Sequence, residues 1–244
     1  MEGSATLKLD VRVQHEGFRL EVCFEARPGI TILFGPSGSG KSTTLAAIAG
    51  LVRPVGGRIS LGEEVWFDAE KGVDRPVHER KVAFVFQSLA LFPHMTAIAN
   101  VTYGMDRSTS STDKRARAMT MLERLRVAHL ADRRPRTFSG GEAQRVALAR
   151  AFAMKPNIVL FDEPFSAMDR DLRNGLLQDV RSFVDELGVP MVHVTHHRGE
   201  ARALGDRVVV VDKGRVMRVG GVRETLGDED DAAVPSLERG RGRA

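Results

Sequence analysis

Residues 29–51 combine side chains and a spacing that can hold phosphate groups. An apolar, β-branched run ends at Phe34 and predicts a buried strand, and an Ala/Leu/Ile-rich run with good helix propensity follows Ser42. The loop between them has the pattern G-x-x-x-x-G-K-S, whose glycines allow successive backbone N–H groups to point at an anion. The pattern in this strand–loop–helix context predicts nucleotide binding. The expected contact residues are Gly35, Pro36, Ser37, Gly38, Ser39, Gly40, Lys41, Ser42 and Thr43.

Two side chains at the end of this loop have chemistry of their own. Lys41 offers a mobile positive charge for the β- and γ-phosphates, and the Ser42 hydroxyl is a suitable ligand for Mg²⁺. The helix that begins near Lys41 adds unpaired N–H groups and the positive end of its dipole. The alternative is a chance turn rich in glycine and serine, which the flanking strand and helix disfavour.

Two adjacent carboxylates follow another predicted strand. Residues 157–161 (NIVLF) form an apolar run of the fully buried kind, and Asp162, Glu163 and Pro164 come directly after it. Paired carboxylates at the end of a core strand are costly unless a cation or a reacting water lies there. We therefore expect Asp162 to hold Mg²⁺, largely through water, and Glu163 to polarise an attacking water molecule.

Polar residues also end two further predicted strands. Residues 81–87 (KVAFVFQ) end on Gln87, and residues 189–195 (VPMVHVT) are followed by His196 and His197. The sheets of α/β proteins place their ligands at the carboxyl ends of strands. Gln87 is thus a candidate to contact Mg²⁺ and the attacking water, or it is merely a capped strand end. His196 is a candidate to hydrogen-bond the γ-phosphate, and we assign His197 to the plain protein surface.

The segment FSGGE, residues 138–142, precedes a run with good helix propensity. Ser139 and Glu142 have the spacing of a capping box, which would be an ordinary helix start. Gly140 and Gly141 within the first turn allow the backbone to approach something closely, and a helix N-terminus is an anion site. Together with the phosphate loop, Ser139, Gly140, Gly141 and Glu142 predict a second phosphate contact.

The two ends of the chain predict hairpins. Apolar and polar residues alternate over residues 5–27, which predicts an antiparallel hairpin that covers one edge of the fold. Near its turn, Phe18 or His15 could supply a flat platform for a nucleotide base, although Phe18 fits a core strand equally well. A second hairpin is predicted at RVVVVDKGRVMRVG, with its turn at 212–214. Residues 227–244 lack apolar content and are predicted to be disordered.

The middle of the chain has a helical pattern. Residues 113–127 predict an amphipathic helix, and another helix is predicted at 170–187, after a tight turn at 166–169. We predict a helical subdomain at about 88–155, inserted into an α/β core that also carries an antiparallel β subdomain. The apolar residues at helical spacing in the first of these helices are Ala116, Met119, Leu122 and Leu125.

Composition excludes some classes of protein. The chain has 244 residues, of which 42% are apolar, enough for a large core without disulfides. Cys23 is the only cysteine, which predicts a cytosolic protein, and residues 1–13 lack the order of basic, apolar and small residues that is typical of a signal peptide. No apolar run is long enough to predict a membrane-spanning helix. Its 36 basic and 32 acidic residues form a mixed surface with one Trp and one Tyr, so we expect no nucleic-acid partner.

The order of these motifs resembles that of the ATP-binding subunit of ATP-binding cassette (ABC) transporters, over about residues 5–225. Stretches such as DAEKGVDRPVHERKVAFVFQ and LFPH are similar to the ATPase subunits of oxyanion importers, molybdate in particular. The resemblance to the ABC transporter family as a whole rests on six segments, which correspond in order to its Walker A, Q-loop, signature, Walker B, D-loop and switch-histidine elements. These segments are GPSGSGKST, Gln87, FSGGE, IVLFDEP, SAMD and VTHH.

The resemblance implies a P-loop NTPase fold, RecA-like, with one ATPase domain over residues 1–226. It implies ATP and Mg²⁺ as ligands, and a head-to-tail homodimer in which each ATP lies between one subunit's phosphate loop and the other's Ser139, Gly140 and Gly141. Asp169 of the D-loop is assigned to the same nucleotide site. The implied partners are a transmembrane permease and, indirectly, a periplasmic or extracellular solute-binding protein. The chain would then be cytoplasmic, peripheral on the inner face of the cell membrane.

The sequence departs from the family pattern in three places. Phe138 replaces the usual Leu, which changes packing but not the phosphate-facing residues. The tyrosine that usually stacks on the adenine is missing, and we assign Phe18 in its place. We also expect this chain to lack the C-terminal β domain of many importer subunits, together with any regulation placed there.

Two other functions are compatible with a nucleotide site. One is a soluble cassette protein acting on ribosomes or DNA, a class that commonly carries two cassettes or long insertions. The other is a nucleotide-dependent assembly switch with little turnover, which the presence of Glu163 disfavours. We expect an ATPase that powers a separate permease, for import of an oxyanion such as molybdate.

Overall fold

The computed structural model describes residues 5–15, 17–106, 108–166, 168 and 170–227. Within these residues, a single mixed sheet carries helices on both faces, so the α/β class is confirmed. The strands are β1 (Leu7–His15), β2 (Phe18–Ala26), β3 (Gly29–Phe34), β4 (Gly56–Leu61), β5 (Glu64–Asp68), β6 (Val73–Asp74), β7 (Val82–Val85), β8 (Ile158–Asp162), β9 (Pro190–Thr195), β10 (Arg207–Asp212) and β11 (Arg215–Gly221). The α-helices are α1 (Lys41–Ala49), α2 (Ala97–Tyr103), α3 (Ser111–Arg124), α4 (Gly140–Ala153), α5 (Arg170–Leu187), α6 (Arg198–Leu204) and α7 (Val222–Leu226).

The parallel half of the sheet has the strand order β10-β3-β9-β8-β7. Phe34 pairs with Thr195, and Asp162 pairs with Val194, so three predicted strands end at the same level. The predicted strand that leads to Gln87 is shorter than expected: β7 ends at Val85 and is the outermost strand rather than a central one. The polar residues beyond these strand ends therefore share one edge of the sheet.

The antiparallel half of the sheet has the order β6-β5-β4-β1-β2, and β11 joins the two halves by pairing parallel with β2 and antiparallel with β10. The predicted first hairpin is confirmed, with Leu7 opposite Ala26, but its predicted position at an edge of the fold is wrong. β1 pairs on its other side with β4, and β5 and β6 extend the sheet further. Local alternation reports which face of a strand is buried, whereas it carries no signal for which strand pairs beside it.

Helices α2, α3 and α4 lie between β7 and β8, the region predicted to be mainly helical. The helix predicted at 113–127 is α3, and its buried residues are Ala118 and Leu122, whereas Ala116 is exposed. α5 has the predicted bounds. The division into one domain with a helical subdomain remains a prediction, and the tail predicted at 227–244 lies outside the described residues except for Gly227. None of the helices in the described ranges is both long and apolar enough to cross a bilayer.

The two faces of the sheet bury separate apolar cores. One core contains Phe161 and Phe165 together with residues of α2, α3, α4, α5 and α6. The other contains Leu45 and Ile48 of α1, packed beneath the antiparallel half with Trp66. Successive residues of a strand point to opposite faces, so each central strand contributes to both cores. Helix α1, which follows the phosphate loop, packs in this second core against strands from both halves of the sheet.

Arg80 links the antiparallel half to the end of α1. Its side chain is only 1% exposed and donates to the backbone oxygens of Ala47 and Ile48 at 3.1 and 2.9 Å. It also donates to the backbone oxygen of Arg75 at 3.0 Å and to the Asp74 carboxylate at 3.3 Å. The last carbonyl groups of a helix lack partners within it, so this guanidinium satisfies the C-terminal end of α1. The opposite end of the same helix is the phosphate loop.

We predict that Arg80→Met lowers the free energy of unfolding by about 2–4 kcal/mol, because helix carbonyls and Asp74 lose a buried donor. Arg53→Met is the matched control, since its Nε also lies 3.3 Å from Asp74, but its side chain is 74% exposed. A change of about 0.5 kcal/mol or less is expected there. Urea unfolding followed by circular dichroism measures both variants, and equal losses would contradict the assignment.

Candidate functional site

The phosphate loop folds around the side chain of its own lysine. Lys41 is buried, and its Nζ donates to the backbone oxygens of Gly35 and Pro36, both at 2.8 Å. Burial lowers the pKa of Lys41, while the negative charges of Glu163 and Asp162 act in the opposite direction. The ammonium group thus lies at the loop with two carboxylates close by, where an anionic ligand can replace the loop carbonyls as its partner.

The loop is packed against the turn between β10 and β11. The backbone N–H of Gly214 donates to the backbone oxygen of Ser39 at 3.0 Å. A Cβ atom on Gly35 would lie 2.0 Å from the backbone oxygen of Val211, so this position has no room for a side chain. Among the described residues, the buried Oγ of Ser39 has no hydrogen-bond partner. A buried, unpaired hydroxyl inside a loop of this kind fits a bound phosphate, which would supply the missing acceptor.

Ser42 and Asp162 meet directly. The Ser42 Oγ donates to the Asp162 carboxylate at 2.9 Å, which joins the start of α1 to the end of β8. Burial raises the pKa of Asp162 and the charge of Glu163 acts in the same direction, whereas the hydrogen bond from Ser42 and the charge of Lys41 act against it. One carboxylate and one hydroxyl oxygen beside a phosphate site fit Mg²⁺, which commonly uses one or two protein oxygens together with phosphate and water.

Glu163 and His196 are in contact with each other. The His196 Nδ1 lies 2.9 Å from the Glu163 carboxylate, and the side chains are 47% and 20% exposed. Glu163 has a left-handed backbone, with φ at 46°, and its N–H donates to the backbone oxygen of Val194 at 3.1 Å. Such a conformation is uncommon for a residue other than glycine, and uncommon backbone conformations cluster at functional sites. Glu163 and His196 therefore form one unit at the ends of β8 and β9.

A cavity of about 390 Å³ collects most of the predicted site. Gln87 is part of its lining, and its Nε2 lies 3.4 Å from the Ser166 Oγ, so the amide reaches the site although β7 ends two residues before it. His196 is not among the lining residues, but it contacts Glu163, which is. The lining residues are Phe18, Ser37, Gly38, Gly40, Lys41, Ser42, Thr43, Gln87, Asp162 and Glu163.

Phe18 is half-buried and lies directly against the phosphate loop. A Cβ atom on Gly40 would lie 3.0 Å from the Phe18 Cζ, and the same ring packs on the second core. Phe18 also borders a second cavity of about 400 Å³, whose lining includes Arg19 and Lys213. The ring thus borders both cavities and packs on the core, so its position is compatible with both explanations that the sequence offered, core packing and a nucleotide platform.

The predicted second phosphate contact stands apart from this cavity. Ser139 and Glu142 form the capping box of α4, as predicted, and Ser139 and Gly140 are exposed. The hydrogen bond from the Ser139 backbone, with further bonds from His129 and the Ser139 hydroxyl, lowers the pKa of Glu142 to about 2. A Cβ atom on Gly140 would meet nothing within 4 Å, whereas one on Gly141 would lie 2.6 Å from the Leu172 Cδ2. Gly141 therefore also has a packing role, which its sequence context did not indicate. The assignment of Asp169 lies outside the described residues.

Sequence reasoning missed a buried group beside His196. His193 and Thr195 on β9 and Glu200 on α6 are buried and hydrogen-bonded to one another. The available signal was the alternation of His193 and Thr195, which places both on one face of a strand. His197, expected to be a plain surface residue, is half-buried, with its ring centroid 4.1 Å from that of His196.

The sequence of this chain is similar to those of ABC transporter proteins. The sequence profile of the ABC transporter family matches residues 21–166. The "Molybdenum import ATP-binding protein ModC" of Methylococcus capsulatus is 42% identical over 211 residues, which cover 86% of this chain and 58% of that protein. The protein of the same name from Albidiferax ferrireducens is 41% identical over 221 residues, 90% of this chain and 60% of that protein. The chain thus spans about three fifths of the length of these relatives.

Solved structures also resemble this chain. The dimeric structure of MJ0796, described as a bacterial ABC transporter cassette, superposes with a TM-score of 0.76 at 30% identity, covering 89% of this chain and 99% of that one. A dimeric structure of MJ0796 in a post-hydrolysis state, bound to ADP and Pi, gives a TM-score of 0.75 at 29% identity, with the same coverage. These similarities support the predicted P-loop NTPase fold.

We predict that Gly35→Ala lowers the thermal unfolding midpoint, because a methyl group cannot fit beside the backbone oxygen of Val211 without moving the phosphate loop. Gly175→Ala is the control: this exposed position within α5 has open space for a Cβ atom. Alanine should raise stability there by about 0.5–1 kcal/mol, since it favours helix more than glycine. Differential scanning calorimetry measures both, and an unchanged midpoint for Gly35→Ala would contradict the packing described.

Proposed function

This chain belongs to the ABC transporter family, and we propose that it hydrolyses ATP to power a separate transmembrane permease. The observation that carries the proposal is the meeting of Lys41, Ser42, Asp162 and Glu163 around one cavity, with His196 bonded to Glu163. Phosphoryl transfer to water requires a cation that binds the phosphates, oxygen ligands for Mg²⁺ and a carboxylate that orients the water.

Each side chain has a distinct part in this proposal. Lys41 exchanges its two loop carbonyl partners for the β- and γ-phosphate oxygens of ATP. Ser42, Asp162 and Gln87 would hold Mg²⁺, which neutralises the charge on the phosphates. Glu163 orients and polarises the attacking water, a task that needs a carboxylate at the γ-phosphate end of the cavity. His196 donates to the γ-phosphate and keeps Glu163 in place.

The other half of each ATP site is supplied by a second copy of the chain. Ser139 and Gly140 are exposed at the N-terminus of α4, away from the cavity, where the helix end can accept the phosphates of the partner's ATP. The dimeric state of MJ0796 supports this arrangement for a cassette of the same fold. Phe18 and Asp169 complete the proposed contacts, with Phe18 as the platform for the adenine.

We infer that the transported solute is an oxyanion such as molybdate. Two relatives that carry the name molybdenum import ATP-binding protein support this inference, because their sequences are 41–42% identical to this chain over most of its length. Solute recognition then belongs to the permease and to a periplasmic or extracellular solute-binding protein, with which this chain has no direct contact. The chain acts from the cytoplasm at the inner face of the membrane, and no nucleic acid takes part.

The permease is proposed to dock beside Gln87, on an aromatic surface formed by Phe92 and Tyr103. Their ring centroids are 4.5 Å apart, and Tyr103 is 62% exposed. Arg150 of α4 lies over Phe92 at 5.7 Å and donates to the backbone oxygens of Leu89 and Ala90, both at 2.7 Å. The docking surface is thus linked both to the segment after Gln87 and to α4, the helix that Ser139 caps.

We predict that Glu163→Gln retains ATP binding but slows hydrolysis by ~10²-fold or more, because an amide cannot polarise the attacking water as a carboxylate does. Phosphate release gives the rate, and calorimetry gives the affinity. With ATP, this variant should also form a dimer in analytical ultracentrifugation. Glu123→Gln, an exposed change on α3, should match the parent protein. Parental turnover in Glu163→Gln would remove Glu163 from its role, and an inactive parent would favour the assembly switch.

We predict that Phe92→Glu and Tyr103→Glu each abolish oxyanion uptake while basal ATP hydrolysis is retained, since a charge on the aromatic surface opposes docking of an apolar loop. Uptake of labelled molybdate into vesicles that contain the permease measures the effect. Val55→Glu is the control, because Val55 is 67% exposed and remote from Gln87 in sequence. Leu91 is less suitable for this test, since it packs against the core. Full uptake by both aromatic variants would contradict the docking site.

A further inference from the structure

Three buried polar side chains lie beneath the strand end that carries His196. His193, Thr195 and Glu200 are 0%, 1% and 4% exposed, and we call them the buried network. The His193 Nε2 lies 2.8 Å from one carboxylate oxygen of Glu200, and the Thr195 hydroxyl donates to the other at 2.7 Å. One carboxylate thus holds two residues of β9 at once.

The position of the network follows from the strand and helix that carry it. His193 and Thr195 alternate on β9 and share the face against which α6 packs, and Glu200 lies in the first turn of α6. The His193 ring is surrounded by the rings of Phe161 and Phe165, each with its centroid 5.9 Å away. Burying polar groups among aromatic rings is costly, and packing alone would be met by apolar residues.

The electrostatics keep Glu200 ionised in this setting. Burial would raise the pKa of Glu200, but the charge of His193, the hydrogen bonds from His193 and Thr195, and the charge of Arg173 together lower it. A carboxylate with both oxygens engaged is a rigid acceptor, because charge-assisted hydrogen bonds are short and directional. The Thr195 hydroxyl is thereby fixed in orientation, since it must donate toward Glu200.

The network continues into the backbone around His196. The Thr195 hydroxyl accepts a hydrogen bond from the His197 N–H at 3.1 Å, which closes the turn formed by residues 195–197. His196 is the middle residue of that turn, and its Nδ1 lies 2.9 Å from Glu163. The residue before His196 therefore carries the hydroxyl, the residue after His196 donates its N–H to that hydroxyl, and the hydroxyl itself donates to Glu200.

We propose that Glu200, acting through Thr195, is a positioning residue that holds His196 at Glu163, with His193 orienting the Glu200 carboxylate. The inference rests on the proposed ATPase function. The competing explanation is that the buried network serves only to hold α6 on the sheet. The two differ in what they predict for hydrolysis by a protein that folds without the network.

The first test compares two substitutions at one position. Thr195→Val removes the bridging hydroxyl at nearly constant shape, and we expect kcat to fall about 10- to 100-fold with unchanged ATP affinity. Thr195→Ser retains the hydroxyl and should restore most of the parent rate. Glu224→Gln is the control, since Glu224 also lies in the first turn of a helix but is exposed. Equal rates for the Val and Ser variants would overturn the proposal.

The second test removes the polar groups while keeping the packing. In His193→Phe/Glu200→Met, apolar residues of similar size replace a buried pair, a change that is often neutral or stabilising. We expect a thermal midpoint near that of the parent and the same loss of kcat as in Thr195→Val. A well-folded double variant that hydrolyses ATP at the parent rate would show that the network is only structural.

The third test asks whether the effect passes through His196. In a His196→Ala background, Thr195→Val should lower kcat no further, because residues that act as a unit are not additive. Additive losses would contradict the proposal. A readout independent of turnover is the NMR signal of the His196 ring, assigned with His196→Ala: it should change in Thr195→Val while that of the exposed His78 stays. If the parent protein hydrolyses no ATP, the proposed function fails, and an unchanged His196 signal overturns the positioning role by itself.

Discussion

The parallel pairing of β3, β9 and β8 is the constraint on which the site depends. These three strands come from distant parts of the chain, and their register places Phe34 opposite Thr195 and Asp162 opposite Val194. The phosphate loop, the two carboxylates and the switch histidine therefore leave the sheet at one level. Backbone hydrogen bonds set this register, and a slip by one residue would turn each side chain to the opposite face. The catalytic geometry is thus a consequence of strand pairing in the core.

Local chemistry was predictable from the sequence. The phosphate loop, the capping box of Ser139 and Glu142, and the bounds of α5 all follow from short-range patterns, in which glycine, cap residues and apolar spacing determine the backbone. The position of Lys41, Asp162 and Glu163 around one cavity follows from the rule that parallel strands present their carboxyl ends together.

What the sequence did not predict depends on long-range pairing. The contact between Glu163 and His196 requires the register of β8 against β9, and the bonds of Arg80 to α1 require the antiparallel strands to pack against that helix. The buried pair of His193 and Glu200 reads in the sequence as two ordinary polar residues. A similar reason explains α3, where Ala118 rather than Ala116 faces the core: helical spacing fixes the separation of apolar residues, but the neighbouring elements fix which of them is buried.

The hydrogen bonds of Arg150 connect α4 to the segment that follows Gln87. Its guanidinium lies near the end of α4 and bonds to Leu89 and Ala90, whose left-handed φ angles of 61° and 44° leave the segment little freedom to relax alone. The fourteen-residue helix is a rod of about 20 Å. A displacement of the segment beside Gln87 would have to carry the C-terminal end of α4 with it or break two charge-assisted hydrogen bonds. Because α4 is one continuous helix, its N-terminal end, which Ser139 caps, would be reoriented as well.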